Sequence, residues 1–269
     1  MIRNYHPGAL LVSGTVNNLT PGSLAGIRAL VTGSSRGIGA DTANMLASAG
    51  ARVAINYRNK EARALKVVAA IEADGGEAIA LGGDLTDPAS VSAMFDTVRE
   101  QWGGLDLLVL NASGGMESGM GADYAMQLNR DAQVNVLNAA LPLMASGSRV
   151  IFVTSHQAHF VDTAETMPEY LPVALSKRAG EDALRSRVDE LDEKGIGFVV
   201  VSGDMIEGTI TATLLERANP GAIETRREEA GRLYTVNEFA GEVAQAAVDP
   251  IPPNHTRYVG DISGFAPAN

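Results

Sequence analysis

A doubly wound α/β sheet, built as a single domain, is predicted by three observations. A short apolar run, Ile27 to Val31, leads through the glycine-rich turn Thr32-Gly-Ser-Ser-Arg-Gly-Ile-Gly39 into an apolar-periodic segment with Ile38, Met45, Leu46 and Ala49, which is the order strand, turn, helix. Short apolar runs then alternate with longer segments of helical period almost to the end of the chain. The runs also end on polar residues, at the edge where a parallel sheet collects ligand atoms.

Taken in order, Arg52 to Ile55, Ala78 to Leu81, Leu105 to Leu110, Arg149 to Val153 and Gly197 to Val201 are strand-like, with helical stretches near 60–73, 88–101, 122–145 and 173–193. Such alternation implies right-handed crossovers and a parallel sheet with helices on both faces, a Rossmann-type arrangement. Beyond it, Met205, Ile206, Ile210, Leu214 and Leu215 carry helical periodicity closed by Asn219-Pro220-Gly221. A helical lid over an apolar substrate, about residues 204–222, and an ordinary core-packing helix both fit that pattern. Thr235-Val-Asn-Glu238 predicts a capping box for a helix to about Ala247, and Thr256 to Val259 a last strand. Residues 1–22 read as an N-terminal extension and 23–269 as the domain.

With 269 residues and 45% hydrophobic content, the chain can bury a sizeable core. A formal charge of −11, with no block of Lys or Arg, argues against nucleic acid and anionic membranes as partners. The absence of Cys removes disulfides, thiol catalysis and cysteine metal sites, and no metal site is expected. The N-terminus lacks the apolar core of a signal peptide, and no apolar run reaches the roughly 18 residues of a membrane span. A soluble, cytoplasmic protein is the expectation.

The glycine turn suits a dinucleotide. Gly33, Gly37 and Gly39 let the backbone approach a ligand, and the helix that follows offers unpaired N–H groups to a pyrophosphate. Strand two ends in Asn56-Tyr57-Arg58, where an acidic residue would hold the ribose hydroxyls of NAD. With none there, and with Arg36 and Arg58 nearby, the local charge favours NADP(H). Two merely solvated arginines are the competing explanation.

Further along, the motifs resemble the short-chain dehydrogenase/reductase family over roughly residues 24–262. Its Thr-Gly-x-x-x-Gly-x-Gly pattern is met by Thr32, Gly33, Gly37 and Gly39, and its adenine-binding Asp plus apolar residue by Asp84-Leu85. Its Asn-Asn-Ala-Gly motif is half met: Asn111 and Ala112 match, whereas Leu110 and Ser113 depart. The resemblance implies a cofactor site of Thr32, Gly33, Ser35, Arg36, Gly37, Ile38, Gly39, Asn56, Tyr57, Arg58, Asp84, Leu85, Asn111, Ala112, Ser113, Lys177 and Thr209. It also implies that Asn129 serves a proton relay, that Ser155 binds the substrate carbonyl, and that Lys177 holds the nicotinamide ribose. Asn129 has Asn135 and Asn138 as neighbours, and a helical Asn is otherwise surface. Ser155 could equally cap its loop. Thr209 follows a Ser202-Gly203-Asp204 stretch that lacks the family's Pro.

The family's catalytic acid is a Tyr four residues before the Lys, and that position is Val173, which cannot transfer a proton. Three replacements compete. Tyr170 stands seven residues before Lys177, but Pro172 should start the helix and leave Tyr170 in the preceding loop, from which its phenol could still reach inward although nothing in the sequence fixes its hydroxyl beside Ser155. His156 or His159 could donate near neutral pH. The substrate could carry its own acid, as in a ketone flanked by a phenol, and this is the favoured expectation. In that respect the chain resembles aromatic polyketide (angucyclinone-type) ketoreductases, which implies antibiotic biosynthesis. The resulting expectation is NADPH-dependent reduction of a small-molecule ketone, apolar or aromatic, by a homo-oligomer, dimer or tetramer. The alternative is a catalytically silent NADP-binding sensor or scaffold.

Overall fold

In the computed structural model, which describes residues 19–116, 119, 121 and 123–265, the first apolar run becomes β1 (Arg28–Val31) and the periodic segment after the glycine turn becomes α1 (Gly37–Ser48). The extension expected at the N-terminus lies outside the described residues as far as residue 18, and Leu19 is already buried in the core. Alternation continues through β2 (Arg52–Tyr57), α2 (Glu61–Ala73), β3 (Glu77–Gly82), α3 (Pro88–Trp102) and β4 (Leu105–Leu110). Helix α3 starts on an Asp87 cap that accepts from the Ala89 N–H, with Pro88 in the first turn where its missing N–H costs nothing.

The long helix expected at 122–145 is divided. It comprises α4 (Tyr124–Met126), a π-helical turn Gln127–Asp131, α5 (Ala132–Ala140) and a 3-10 turn Leu141–Leu143 around Pro142. Strand β5 (Met144–Ser155) therefore begins earlier than the apolar run suggested: Met144 pairs with Leu105, and after a register shift Arg149 pairs with Leu107. Next come α6 (His156–His159), α7 (Leu171–Arg185), α8 (Val188–Glu193) and β6 (Gly197–Gly203).

The remaining elements are β7 (Ile206–Glu207), α9 (Ile210–Ala218), α10 (Ala222–Ala230), β8 (Tyr234–Thr235), α11 (Val236–Gln245) and β9 (Thr256–Val259). The capping box forms as read, with Thr235 and Glu238 each bonding the other's backbone N–H. The single helix expected across 204–222 does not form. Gly208, at φ 83°, turns the chain between β7 and α9, and β7 pairs with β8 as a small separate ribbon.

Seven strands in the order β3-β2-β1-β4-β5-β6-β9 make one parallel sheet. Alternate side chains feed two cores. Ala29, Val31, Leu107 and Val109 pack on one face with α1, α2 and α11, while Leu30, Leu108 and Leu110 pack on the other with α3 and α5. The order reverses between β1 and β4, so the carboxyl ends of these strands open a crevice there. No described helix is long and apolar enough to cross a membrane.

Candidate active site

The glycine turn is braced against the loop after β4. Gly33 has φ 62°, and a Cβ on it would lie 3.0 Å from the Ala112 Cα; one on Gly39 would lie 2.5 Å from the Asn111 Nδ2. The Thr32 Oγ1 accepts from the N–H groups of Asn111 (2.9 Å) and Ala112 (3.0 Å), and Asn111 donates back to the Thr32 carbonyl at 2.9 Å. Asn56 completes the brace: its Oδ1 accepts from the Gly33 N–H at 3.0 Å, and its Nδ2 donates to the carbonyls of Leu81 and Gly83. Its amide thus holds the turn, a role its position as a missing acid did not suggest.

Helix α1 follows Arg36, an N-cap residue whose side chain makes no cap, and has no acidic residue in its first turn, so its leading N–H groups are left for an anion. They face a cleft of about 660 Å³. Ser35, Arg36, Gly37 and Ile38 line it, as do Tyr57, Arg58, Asp84, Leu85, Ser113 and Thr209. Lys60 and Arg63, which sequence reasoning missed, add two more cations. Their only signal was a basic residue at each end of the first turn of α2. The Arg58 guanidinium lies 5.6 Å from the centre of the Tyr124 ring and donates to its hydroxyl. Asp84 accepts from the N–H and hydroxyl of Thr86, shaping the turn after β3. Uncapped N–H groups, positive charge and glycines in close approach are what a phosphorylated dinucleotide requires, and the residues present fit it.

A second cavity of about 140 Å³ shares Ile38, Asn111, Ser113, Thr209 and Thr211 with the cleft. It brings together Ser155, Tyr170 and Lys177. Ser155 ends β5 and caps α6, its Oγ accepting from the Ala158 N–H at 3.3 Å. The capping reading of this serine is met, and the same residue lines the cavity. Thr209 caps α9, accepting from the Ala212 N–H at 3.1 Å and donating to the Ile206 carbonyl at 2.8 Å.

Tyr170 corrects an expectation. Pro172 does stand in the first turn of α7 and Tyr170 does precede the helix, as its N-cap. Its hydroxyl is nevertheless fixed 3.1 Å from the Ser155 Oγ. The cause is a local turn: the N–H groups of Tyr170 and Leu171 both bond the Met167 carbonyl, and this swings the ring inward among Ala158, Met205 and Leu215. Burial pushes the phenol pKa up, partly offset by the Ser155 hydrogen bond. Val173 packs tightly on Gly115, where an added Cβ would lie 3.2 Å from its Cγ2.

Lys177 is buried on the same helix, and desolvation lowers its pKa to about 8, against the opposing field of Glu181. Asn129 sits in the π turn. Its Nδ2 donates to the Gly114 carbonyl (2.8 Å) and the Ser176 Oγ (2.9 Å), tying the loop after β4 to α7. Its own carbonyl approaches Gly180 so closely that a Cβ there would strike it.

The histidines are not in the cavity. His156 is fully buried and bonded to the Ser202 Oγ (2.8 Å) and the Val259 carbonyl (3.1 Å), and burial takes its pKa down to about 4. His159 is held between Glu181 (2.8 Å) and the Tyr258 hydroxyl (3.1 Å). Neither offers a proton to the site. Met205, Ala212 and Leu215 cluster with Tyr170 and Val173 rather than with the two sheet cores. Asp204 at the root of this segment forms a buried pair with Arg226 of α10 at 2.8 Å.

Residues 28–219 match the family profile of short chain dehydrogenases. The chain is similar to the short chain dehydrogenase/reductase nsrJ of Aspergillus novofumigatus, with 34% identity over 199 residues, 71% of this chain and 72% of that one. It is also similar to two solved structures. One is the promiscuous reductase LugOII, which catalyses a keto-reduction in lugdunomycin biosynthesis (TM-score 0.70, 29% identity, 83% of this chain and 91% of that one). The other is the angucycline ketoreductase LanV with bound NADP (TM-score 0.68, 30% identity, 85% and 91%).

Proposed function

The chain belongs to the short chain dehydrogenase/reductase family, and on that premise we propose that it is an NADPH-dependent ketoreductase for an aromatic, polyketide-type ketone, with Tyr170 in place of the absent tyrosine at position 173. The observation that carries this reading is the pair of hydroxyls, Ser155 and Tyr170, 3.1 Å apart in a cavity that also holds Lys177 and adjoins the dinucleotide cleft. A protein that only bound the cofactor would have no use for that pair. LugOII and LanV, both similar over more than four fifths of the chain, act on ketones in lugdunomycin and angucycline chemistry, which supports the substrate class.

The cleft residues Ser35, Arg36, Gly37 and Ile38 would hold the cofactor's phosphates, with Arg36, Arg58, Lys60 and Arg63 supplying the charge that favours NADP over NAD. When bound, NADPH supplies the hydride for the carbonyl carbon. Ser155 and Tyr170 donate hydrogen bonds to the carbonyl oxygen, stabilising the negative charge that develops on it. Tyr170 keeps its proton at neutral pH because burial disfavours the phenolate, and gives it to that oxygen as the bond forms. Lys177, which lines the same cavity, would hold the nicotinamide ribose hydroxyls. The acting form is expected to be a cytoplasmic dimer or tetramer.

A panel of aromatic and polyketide ketones tests the reading. At least one should oxidise NADPH in the presence of the protein, and Ser155→Ala should slow it by about 10²-fold, the loss typical of one oxyanion donor. A reactive ketone whose rate ignores Ser155→Ala would remove the catalytic assignment.

A further inference from the structure

Given the ketoreductase reading above, we infer that Gln157 recognises a second oxygen on the substrate, so that the preferred ketone carries a hydroxyl, alkoxy or carbonyl oxygen close to the reacting group. Gln157 follows Ser155 by two residues, on α6, and lines the same cavity as Ser155, Tyr170 and Lys177. The loop before α7 is tied to it twice. Its main-chain carbonyl accepts from the Thr166 hydroxyl at 3.2 Å, and its side-chain Oε1 accepts from the Met167 N–H at 3.3 Å.

That second bond determines which way the amide faces. A backbone N–H can be met only by the oxygen, so the NH₂ group is turned away from the loop. Among the described residues no acceptor meets that NH₂. Of the neighbouring walls, Met205, Ala212 and Leu215 are apolar, and the Asp204 carboxylate is taken up by Arg226 and by the Met205 N–H. Ser155 and Tyr170 are committed to the reacting carbonyl. Gln157 therefore presents a donor to another substrate atom. Closing the site on a ketone that lacks an acceptor there strands a polar group away from water, and such stranding is how a hydrogen-bonding site rejects analogues.

The test uses the full chain with NADPH and two ketones, α-tetralone and its peri-methoxy analogue. The methoxy oxygen is an acceptor but not an acid, so it cannot act as an internal proton donor. Wild type should favour the methoxy ketone by about tenfold or more in kcat/KM. Gln157→Glu preserves an acceptor for the Met167 N–H while replacing the NH₂ with oxygen, and should abolish or invert that ratio. Calorimetric affinity of the methoxy ketone for the NADP⁺-loaded protein should fall in step. Gln157→Met, which offers neither donor nor acceptor, should bring the ratio towards one. The readout is a ratio within each protein, so a smaller folded fraction does not move it. A ratio unchanged in both variants, or a wild type that reduces both ketones equally well, overturns the assignment while leaving the ketoreductase reading intact. Failure of wild type to reduce either ketone, or any in the wider panel, overturns both.

Discussion

His156 shows how far a residue's surroundings can move it from the role its type suggests. Adjacent to Ser155, it reads as a proton donor, yet it is fully buried, bonded on both ring nitrogens and held neutral. Its pKa is about 4 in the folded state against 6.5 when free. The depressed value means that the unfolded chain takes up a proton first as pH falls. This group therefore favours folding fully above about pH 6.5, and its contribution is lost progressively as pH drops towards 4, by about 3 kcal/mol in all. In urea unfolding, His156→Gln should be less stable than wild type near neutrality, but the gap should narrow as pH falls towards 4. A gap independent of pH would mean that His156 does not titrate in this way. At the same scale, Ser155 and Lys177, singled out by their motifs, line one cavity, whereas Gln157 gave no signal, because only the bond from the Met167 N–H makes its amide direction meaningful.

At the scale of elements, the alternation of runs and periodic segments was enough to place the seven sheet strands, since buried parallel strands are apolar on both faces. What periodicity did not carry is the direction of side chains at element ends. Pro172 located the start of α7 correctly, but the inward swing of Tyr170 depends on the turn from Met167, which precedes the helix and has no period. The π turn at Gln127–Asp131 was not read either: it shifts the phase of the apolar pattern by about 100° at one point, and the α-helical segment before it, Tyr124–Met126, is too short to set a phase. That turn packs its Asn129 carbonyl against Gly180, where α7 can pass only because no side chain stands in the way. Gly180→Ala should cost about 1–3 kcal/mol of stability through overpacking, and should lower turnover by displacing Asn129 and Lys177 together. Thermal melts with parallel rate measurements check it. An alanine variant as stable and as active as wild type would show that the two helices have slack there.

On the scale of the whole molecule, the site exists only because the sheet brings separate segments to one edge. Ser155 comes from the end of β5, Tyr170 from the N-cap of α7, Lys177 from α7 itself, and the cover from α9 and the segment before it. The cofactor cleft was largely legible because a glycine turn, a strand end and a helix start are contiguous in sequence. The pairing of Ser155 with Tyr170 was not, because it is a contact across a loop between residues 155 and 170. The proposed mechanism gives the proton to this tyrosine, three positions before Val173 and held beside Ser155. The most direct test is kcat for a reactive aromatic ketone in Tyr170→Phe, alongside NADPH affinity and the same ketone with its neighbouring phenol methylated. The account predicts a loss of about 10²-fold or more in kcat, unchanged NADPH affinity, and normal reduction of the methylated ketone by wild type. Near-normal turnover by Tyr170→Phe, with the methylated ketone no longer reduced, would contradict it and assign the proton to the substrate.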